Sequence, residues 1–260
     1  MVAGVADYAV LVAAGLACGF LNTFASSGSA VSLPILVLIG LSPVAANATN
    51  RLPVLIGAAM AVWTFQRQRQ VDWRAAAKLG PAAAVGSVVG VLIAEMLPNR
   101  QLGLVIPIVV LIALLLLFTK VKDALGHDPE GMPRVTPGSI ALMLLVGAWL
   151  GFIVLDGATY LLLVLMLVCR FDLPHGNALK ALLIVLTTLI AIVLFTGDND
   201  MRWPEGLLMS AGSVAGGHFG AKLSNHPRAR IWAFRLLIVV ISLELLHIAW
   251  HWIKPDWMPG

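Results

Sequence analysis

Long apolar stretches separated by short polar clusters organise this chain of 260 residues. About 20 apolar residues suffice for a helix to cross a hydrocarbon core about 30 Å thick. Residues 44–65, 75–97, 102–118, 178–196 and 231–250 approach or reach that length. Two further stretches are too long for one straight span and are broken internally. Residues 8–40 are interrupted by Ala25-Ser-Ser-Gly-Ser29, and residues 139–170 by Asp156-Gly-Ala-Thr159. A segment such as residues 30–40 makes about 16 Å of helix, half the core thickness. Each broken stretch therefore reads as a helical hairpin whose turn lies near the midplane, although the first arm of residues 8–40 is long enough to cross fully or tilt. The pattern predicts an all-α integral membrane protein.

Self-comparison divides the chain into related halves. Gly15-Leu-Ala-Cys-Gly19-Phe20 answers to Gly147-Ala-Trp-Leu-Gly151-Phe152, and Asn47-Ala48 to Asn177-Ala178. Further along, Gly86 and Gly90 answer to Gly216 and Gly220, and Pro98 to Pro227. The offset drifts only from 132 (Gly15 to Gly147) to 129 (Pro98 to Pro227). The reading is a first repeat at 1–119, a polar linker at 120–136 rich in turn formers, and a second repeat at 137–260, each a broken hairpin followed by three transmembrane helices.

Charge orients the halves. Arg67, Arg69, Arg74 and Lys78 crowd one loop, whereas the equivalent loop at 197–205 holds Asp198, Asp200, Glu205 and Arg202. The next pair reverses: residues 98–101 carry one arginine, and residues 222–235 four basic side chains. Equivalent loops thus fall on opposite sides under the positive-inside rule. That is an inverted-topology repeat, with both termini extracytoplasmic in a bacterial-type cytoplasmic membrane.

Composition agrees: 60% of residues are hydrophobic and 12% charged, about half the charge of a soluble domain. Mean hydropathy is +0.93 and the pI near 9.4; the basic excess belongs to loops, so no nucleic-acid partner is expected. Residues 1–10 carry no basic residue, so the first segment is expected to stay in the mature chain. Cys18 and Cys169 lie in apolar runs without metal-ligand spacing, which predicts packing rather than a disulfide or metal site. No cofactor is expected.

The two breaks are the candidate site. Lipid cannot satisfy the backbone of a broken helix, so the break must line a cavity or be packed in protein. Ser26, Ser27, Gly28 and Ser29 in one half, and Gly157, Ala158 and Thr159 in the other, supply free amides at a positive helix end, hydroxyl donors and room for close ligand approach. The competing reading is close helix packing of small residues, which accounts for Gly86, Gly90, Gly216 and Gly220. Arg51, after Asn47, Thr49 and Asn50, and Lys180, after His175 and Asn177, are cations about two turns into their spans. Such cations face a cavity or a partner, or snorkel to the interface. Together these residues predict a small-anion site. Asp156 would repel an anion unless protonated, which makes it a proton-coupling candidate or an N-cap. His175 and His218 are further proton-coupling candidates, with a packed histidine the alternative for His218.

The run Gly19-Phe-Leu-Asn-Thr-Phe-Ala-Ser-Ser-Gly28-Ser-Ala-Val-Ser-Leu-Pro34, then Gly40-Leu-Ser-Pro43 and Ala46-Asn-Ala-Thr49-Asn, resembles the TauE/SafE sulfite exporter family, also called the 4-toluene sulfonate uptake permeases. The resemblance covers nearly the full length. It departs where Ser26, Ser27 and Ser29 stand in place of glycine, and where Ala178-Leu-Lys180 replaces the Ala-Thr motif. The resemblance implies transport of sulfite, sulfoacetate or other small sulfonates. The expectation is a proton-coupled secondary carrier in the bilayer, possible as a homodimer. The alternatives are a passive anion channel and a membrane enzyme, the latter without a nucleophile–base pair or metal spacing.

Overall fold

The computed structural model describes residues 5–96, 132–153, 157–195 and 201–229, and part of 231–242. The expected spans at 102–118 and 231–250, most of the linker, Asp156, Asp198 and Asp200 lie wholly or largely outside the described residues. The described secondary structure is helical. The first hairpin is α1 (Val5–Phe24) and α2 (Ser29–Leu38), followed by α3 (Pro43–Arg67) and α4 (Trp73–Met96). The second hairpin is α5 (Pro137–Phe152) and α6 (Gly157–Leu163), which continues as a π turn over Val164–Val168. α7 (Leu173–Phe195) and α8 (Trp203–Leu223) follow. The described residues thus give two long helices after each hairpin; the third span expected in each half lies wholly or largely outside them.

Helix starts are set by local capping. Ser42 accepts from Ala45 N ahead of Pro43, and Thr136 and Ser139 form a reciprocal capping box ahead of Pro137. Asp72 caps α4 through the amides of Arg74 and Ala75. Gly40, at φ 98°, ends α2 with its amide on Val37 O and that of Leu41 on Leu36 O.

α4 (Trp73–Ala94) and α7 (Leu173–Leu194) contain stretches long and apolar enough to cross a membrane. Large apolar side chains point outward along them: Val85, Val89, Leu92 and Ile93 on α4, and Leu189 and Val193 on α7. In water such a surface would be a liability; against lipid tails it is neutral.

The core is assembled by crossing between halves. α1 lies along α8, and α5 along α4, so each opening helix packs on the last described long helix of the other half. Glycine permits the approach. A Cβ on Gly15 would sit 1.8 Å from Met209 O, and one on Gly212 1.9 Å from Val12 O. In the other pair, a Cβ on Gly147 would sit 2.3 Å from Ala83 O, and one on Gly86 2.0 Å from Leu144 O. Both are small-residue seams of the kind that let membrane helices touch backbone to backbone. The seams also correct the sequence alignment of the repeats. Gly15 and Gly147 differ by 132, but their partners Met209 and Ala83 differ by 126. In the packing, Gly86 and Gly90 therefore correspond to Gly212 and Gly216, one helical turn from the pairing read in sequence. On each seam a serine also donates to the long central helix: Ser213 to Pro53 O at 2.6 Å and Ser87 to Thr187 O at 2.9 Å.

The charged loops segregate. Gln70, beyond the end of α3, donates to Asn225 beyond the end of α8, which sets the two basic loops side by side. At the other end of α3, Arg202 N donates to Thr49 Oγ1 at 3.0 Å, beside the loop that carries Glu205.

If the seams hold the core, Gly216→Leu and Gly151→Leu, whose Cβ atoms would lie 2.1 and 2.0 Å from backbone oxygens, will each destabilise the protein by at least about 1–3 kcal/mol. Gly138→Ala, whose Cβ would meet only Thr136 Oγ1 at 3.8 Å, will be neutral. Melting temperature in detergent, read by size-exclusion fluorescence, checks the contrast.

Candidate functional site

The first break follows α1. Ser26 adopts φ 64°, a left-handed conformation uncommon outside glycine and asparagine. It turns the chain while the amides of Ala25 and Ser27 both point at Leu21 O, at 2.8 and 3.4 Å. The amide of Gly28 is taken by Asn22 Oδ1 at 2.9 Å. Three acceptors at the turn, Thr23 O, Ser26 Oγ and Ser26 O, are served by the other half. Lys180 Nζ donates to Thr23 O at 3.0 Å, to Ser26 Oγ at 2.8 Å and to Asn177 Oδ1 at 2.7 Å. Thr159 Oγ1 donates to Ser26 O at 3.0 Å.

The second break repeats the arrangement with the halves exchanged. Arg51, from α3, donates through its two terminal nitrogens to Leu150 O at 3.0 Å and Gly151 O at 2.7 Å, the last turn of α5. Asn47 Nδ2 lies 3.5 Å from Phe152 O. Each buried cation therefore caps the C-terminus of the opening helix of the other half, where the helix dipole is negative and carbonyls lack intrahelical donors. Arg51 and Lys180 are both 0% exposed. Snorkelling to an interface is thereby overturned for both.

The arms of the first hairpin are unequal: α1 has 20 residues and α2 only 10, about 30 and 15 Å, in keeping with the long first arm read from residues 8–40. The turn at Ser26 lies beside Lys180, two turns into α7, and the two breaks meet through Thr159 and Ser26. A small cavity of about 10 Å³ lies where the hairpins meet, lined by Asn22, Ser29, Val54, Leu150, Ala158, Ile184 and Thr188. That is room for about one water, and a four-heavy-atom oxyanion does not fit. Two buried side-chain groups nearby in sequence lack a hydrogen-bond partner, Ser27 Oγ and Asn50 Nδ2. Both residues are almost fully buried, Ser27 at 2% and Asn50 at 0% exposure. Orphaned buried donors of this kind are uncommon in folded proteins.

Comparison with known proteins can now be set beside this geometry. The family model described as sulfite exporter TauE/SafE matches residues 11–245. The chain belongs to the sulfite exporter TauE/SafE family. A probable membrane transporter protein of Sinorhizobium sp is 27% identical over 243 residues, 93% of this chain and 92% of the relative. One from Haemophilus influenzae is 28% identical over 249 residues, covering 93% and 94%, and the Escherichia coli protein YfcA, also called a probable membrane transporter, is 26% identical over 234 residues, covering 90% and 86%. No solved structure matches the chain. This is a multi-pass membrane protein of a transporter family.

In this TauE/SafE chain the sequence-derived candidates separate into groups. Ser26, Thr159, Asn177 and Lys180 form one hydrogen-bonded cluster, and Asn47 and Arg51 meet the end of α5. Ser29 and Ala158 line the central cavity. Thr49 is drawn to the loop at Arg202. Gly28 and Gly157 do not leave space for a ligand at their Cα atoms. A Cβ on Gly28 would sit 2.1 Å from Cys18 O, and one on Gly157 2.3 Å from the Leu150 side chain. Their small size serves the hairpins' own packing. His175 is a half-exposed partner of Asp172 at the start of α7, with Nδ1 2.6 Å from the carboxylate. It is not part of the hydrogen-bonded cluster around Lys180. His218 pairs with Thr64 Oγ1 at 3.0 Å on the α3–α8 seam and stacks edge-on to Phe219; it is a packed, hydrogen-bonded histidine outside the site. Asp156 lies outside the described residues.

Sequence reasoning missed Asn22, Ser32, Thr188 and the role of Cys18. Cys18 Sγ accepts from Ser32 at 3.3 Å and Asn22 at 3.7 Å, which ties α1 to α2 below the turn. The signal was present: Asn22 is the lone amide in the apolar run of α1, six residues before Gly28.

Replacing Lys180 with methionine keeps its length and removes its donors, leaving buried acceptors unpaired at about 1–3 kcal/mol each. Lys180→Met will lower the detergent melting temperature, and Arg51→Met likewise. Arg51→Lys, which can reach one carbonyl but not fork across two, will fall between Arg51→Met and the parent chain.

Proposed function

We propose that the chain is a secondary carrier for small sulfur-containing oxyanions or organosulfonates, working by alternating access between two inverted repeats in a cytoplasmic membrane. The observation that carries this reading is the reciprocal capping of each break by a buried cation of the other half. Among the described residues Lys180 meets only dipoles: its three partners are a carbonyl, a hydroxyl and an amide oxygen. A buried ammonium in that setting attracts an anion, and an anion reaching it must loosen the cap that holds the break. Substrate binding and rearrangement of the hairpins are then one event, as a carrier requires. The family's description as sulfite exporters supports the substrate class.

The collapsed central cavity is read as the same site in an occluded, empty form. Asn22, Ser29 and Thr188 line it, and opening it by a few ångströms would place their polar groups with Ser27 Oγ and Asn50 Nδ2 around an oxyanion. A closed centre fits alternating access better than a standing pore. On this reading the coupling ion is a proton carried by Asp156, the residue before Gly157; its support is sequence position and the expense of a fixed carboxylate beside an anion. The inverted arrangement is supported by the repeat offset, the reversed loop charges and the matching glycine seams.

The test is ligand binding and flux in the purified chain. Sulfite, thiosulfate, sulfate, sulfoacetate, isethionate, taurine and simple carboxylates are compared by thermal shift. The expected outcome is stabilisation by sulfite or sulfonates. Ser27→Ala and Asn22→Ala, which leave both caps in place, should weaken it by about tenfold in Kd, or 1.4 kcal/mol. In proteoliposomes the ligand should accumulate against its gradient when a pH gradient is imposed. Flux that only dissipates a gradient would replace the carrier with a channel, and stabilisation indifferent to both substitutions would remove the site from the breaks.

A further inference from the structure

The basic face carries a second feature that neither the breaks nor the seams use. Where α8 ends, an open groove of about 590 Å³ is walled by Phe20, Phe219 and Lys222 with the exposed turn Asn225, His226 and Pro227. Leu223 joins it to a second groove of about 300 Å³, whose walls are Phe24, Trp232, Arg235, Leu236 and Val239. The two are also linked by His226, whose ring stacks on Trp232 at 4.4 Å between centroids. The result is one trough that begins at the basic loop and runs down an outward-facing surface.

Arg235 is the residue that asks for an explanation. It follows the start of helical structure at Ala229 by six residues, about 9 Å along a helix axis. It is exposed, it lines a groove whose other walls are apolar side chains, and no hydrogen bond or ion pair is described for it. Lys222, at the upper end of the trough, is likewise exposed and unpaired among the described contacts. A cation facing lipid at that level is stabilised when an anion meets it at the boundary. Below it, half-buried Leu236 and exposed Val239 offer a strip suited to hydrocarbon, with buried Phe24 as the floor behind them. Anionic headgroup above and acyl chain below is the chemistry of one molecule.

We propose that this trough seats one anionic phospholipid, its phosphate held by Lys222 and Arg235 and an acyl chain laid along Leu236 and Val239. The site lies on the outer surface of the α1–α8 seam, and a lipid there covers the end of the helix whose C-terminus Lys180 caps. It is separate from the anion site at the breaks and stands whether or not that reading holds.

Native mass spectrometry of the full chain, released from detergent after incubation with phosphatidylglycerol or with phosphatidylcholine of the same acyl chains, tests it. The expected result is one retained phosphatidylglycerol per chain and little phosphatidylcholine. Lys222→Gln with Arg235→Gln should reduce the retained fraction roughly tenfold, since each basic side chain near a membrane surface contributes measurably to anionic-lipid affinity. Val239→Trp, which fills the lower trough and keeps its charge, should reduce it as well. The control is Arg74→Gln with Lys78→Gln, the same charge change on the same face at two residues that do not wall the trough, which should leave retention intact. Equal loss in the control would mean diffuse attraction to the basic face and no seat. Equal retention of both lipids, displacement by glycerol 3-phosphate alone, or a dimer whose contact buries the trough would each overturn the proposal.

Discussion

Two buried cations placed against the ends of broken helices are the constraint on which the rest of this structure depends. A helix that stops inside a membrane leaves carbonyls that lipid cannot satisfy. Here that deficit is met by Arg51 on Leu150 and Gly151, and by Lys180 on Thr23 and Ser26. The cations need the carbonyls as much as the carbonyls need the cations, because a charge withdrawn from water is tolerated only when its hydrogen bonds are made. Each break and each cation sit in opposite halves, so the stability of either hairpin is a property of the pair.

Much of the architecture was legible in the sequence, and what was not has a physical reason. The spans read at 44–65 and 75–97 appear as α3 (Pro43–Arg67) and α4 (Trp73–Met96) because continuous hydrophobicity is a direct requirement of lipid. The breaks at Ser26 and before Gly157 were visible as polar interruptions of apolar runs. α7 begins at Leu173, five residues before the apolar run at Ala178, because Asp172 caps a first turn built from polar residues. α8 was absent from the apolar spans because Ser210, Gly212, Ser213, Gly216, Gly217 and Gly220 dilute its hydropathy. Of these, Gly212, Gly216 and Gly220 form its seam with α1, and Gly217 meets Gly57 of α3.

The candidate site was half legible. Arg51 and Lys180 could be singled out as cations within spans, but their acceptors are mostly backbone carbonyls, which leave no trace in residue identity. Gly28 and Gly157 illustrate the ambiguity of glycine. Sequence marks them as places where something comes close, and the structure shows that the something is the hairpin itself. His175 is held at the start of α7 by Asp172, three positions earlier.

The glycine seams have a consequence for how such a chain comes into being. α1 is made first, and its partner α8 only about 200 residues later by the numbering of the two helices. During synthesis α1 and α2 must wait in the bilayer with the face around Gly15 and Gly19 uncovered and the carbonyl of Thr23 unserved. The first half is therefore not an autonomous folding unit, and biogenesis ends with a closure step in which the last helices arrive and lock the first ones.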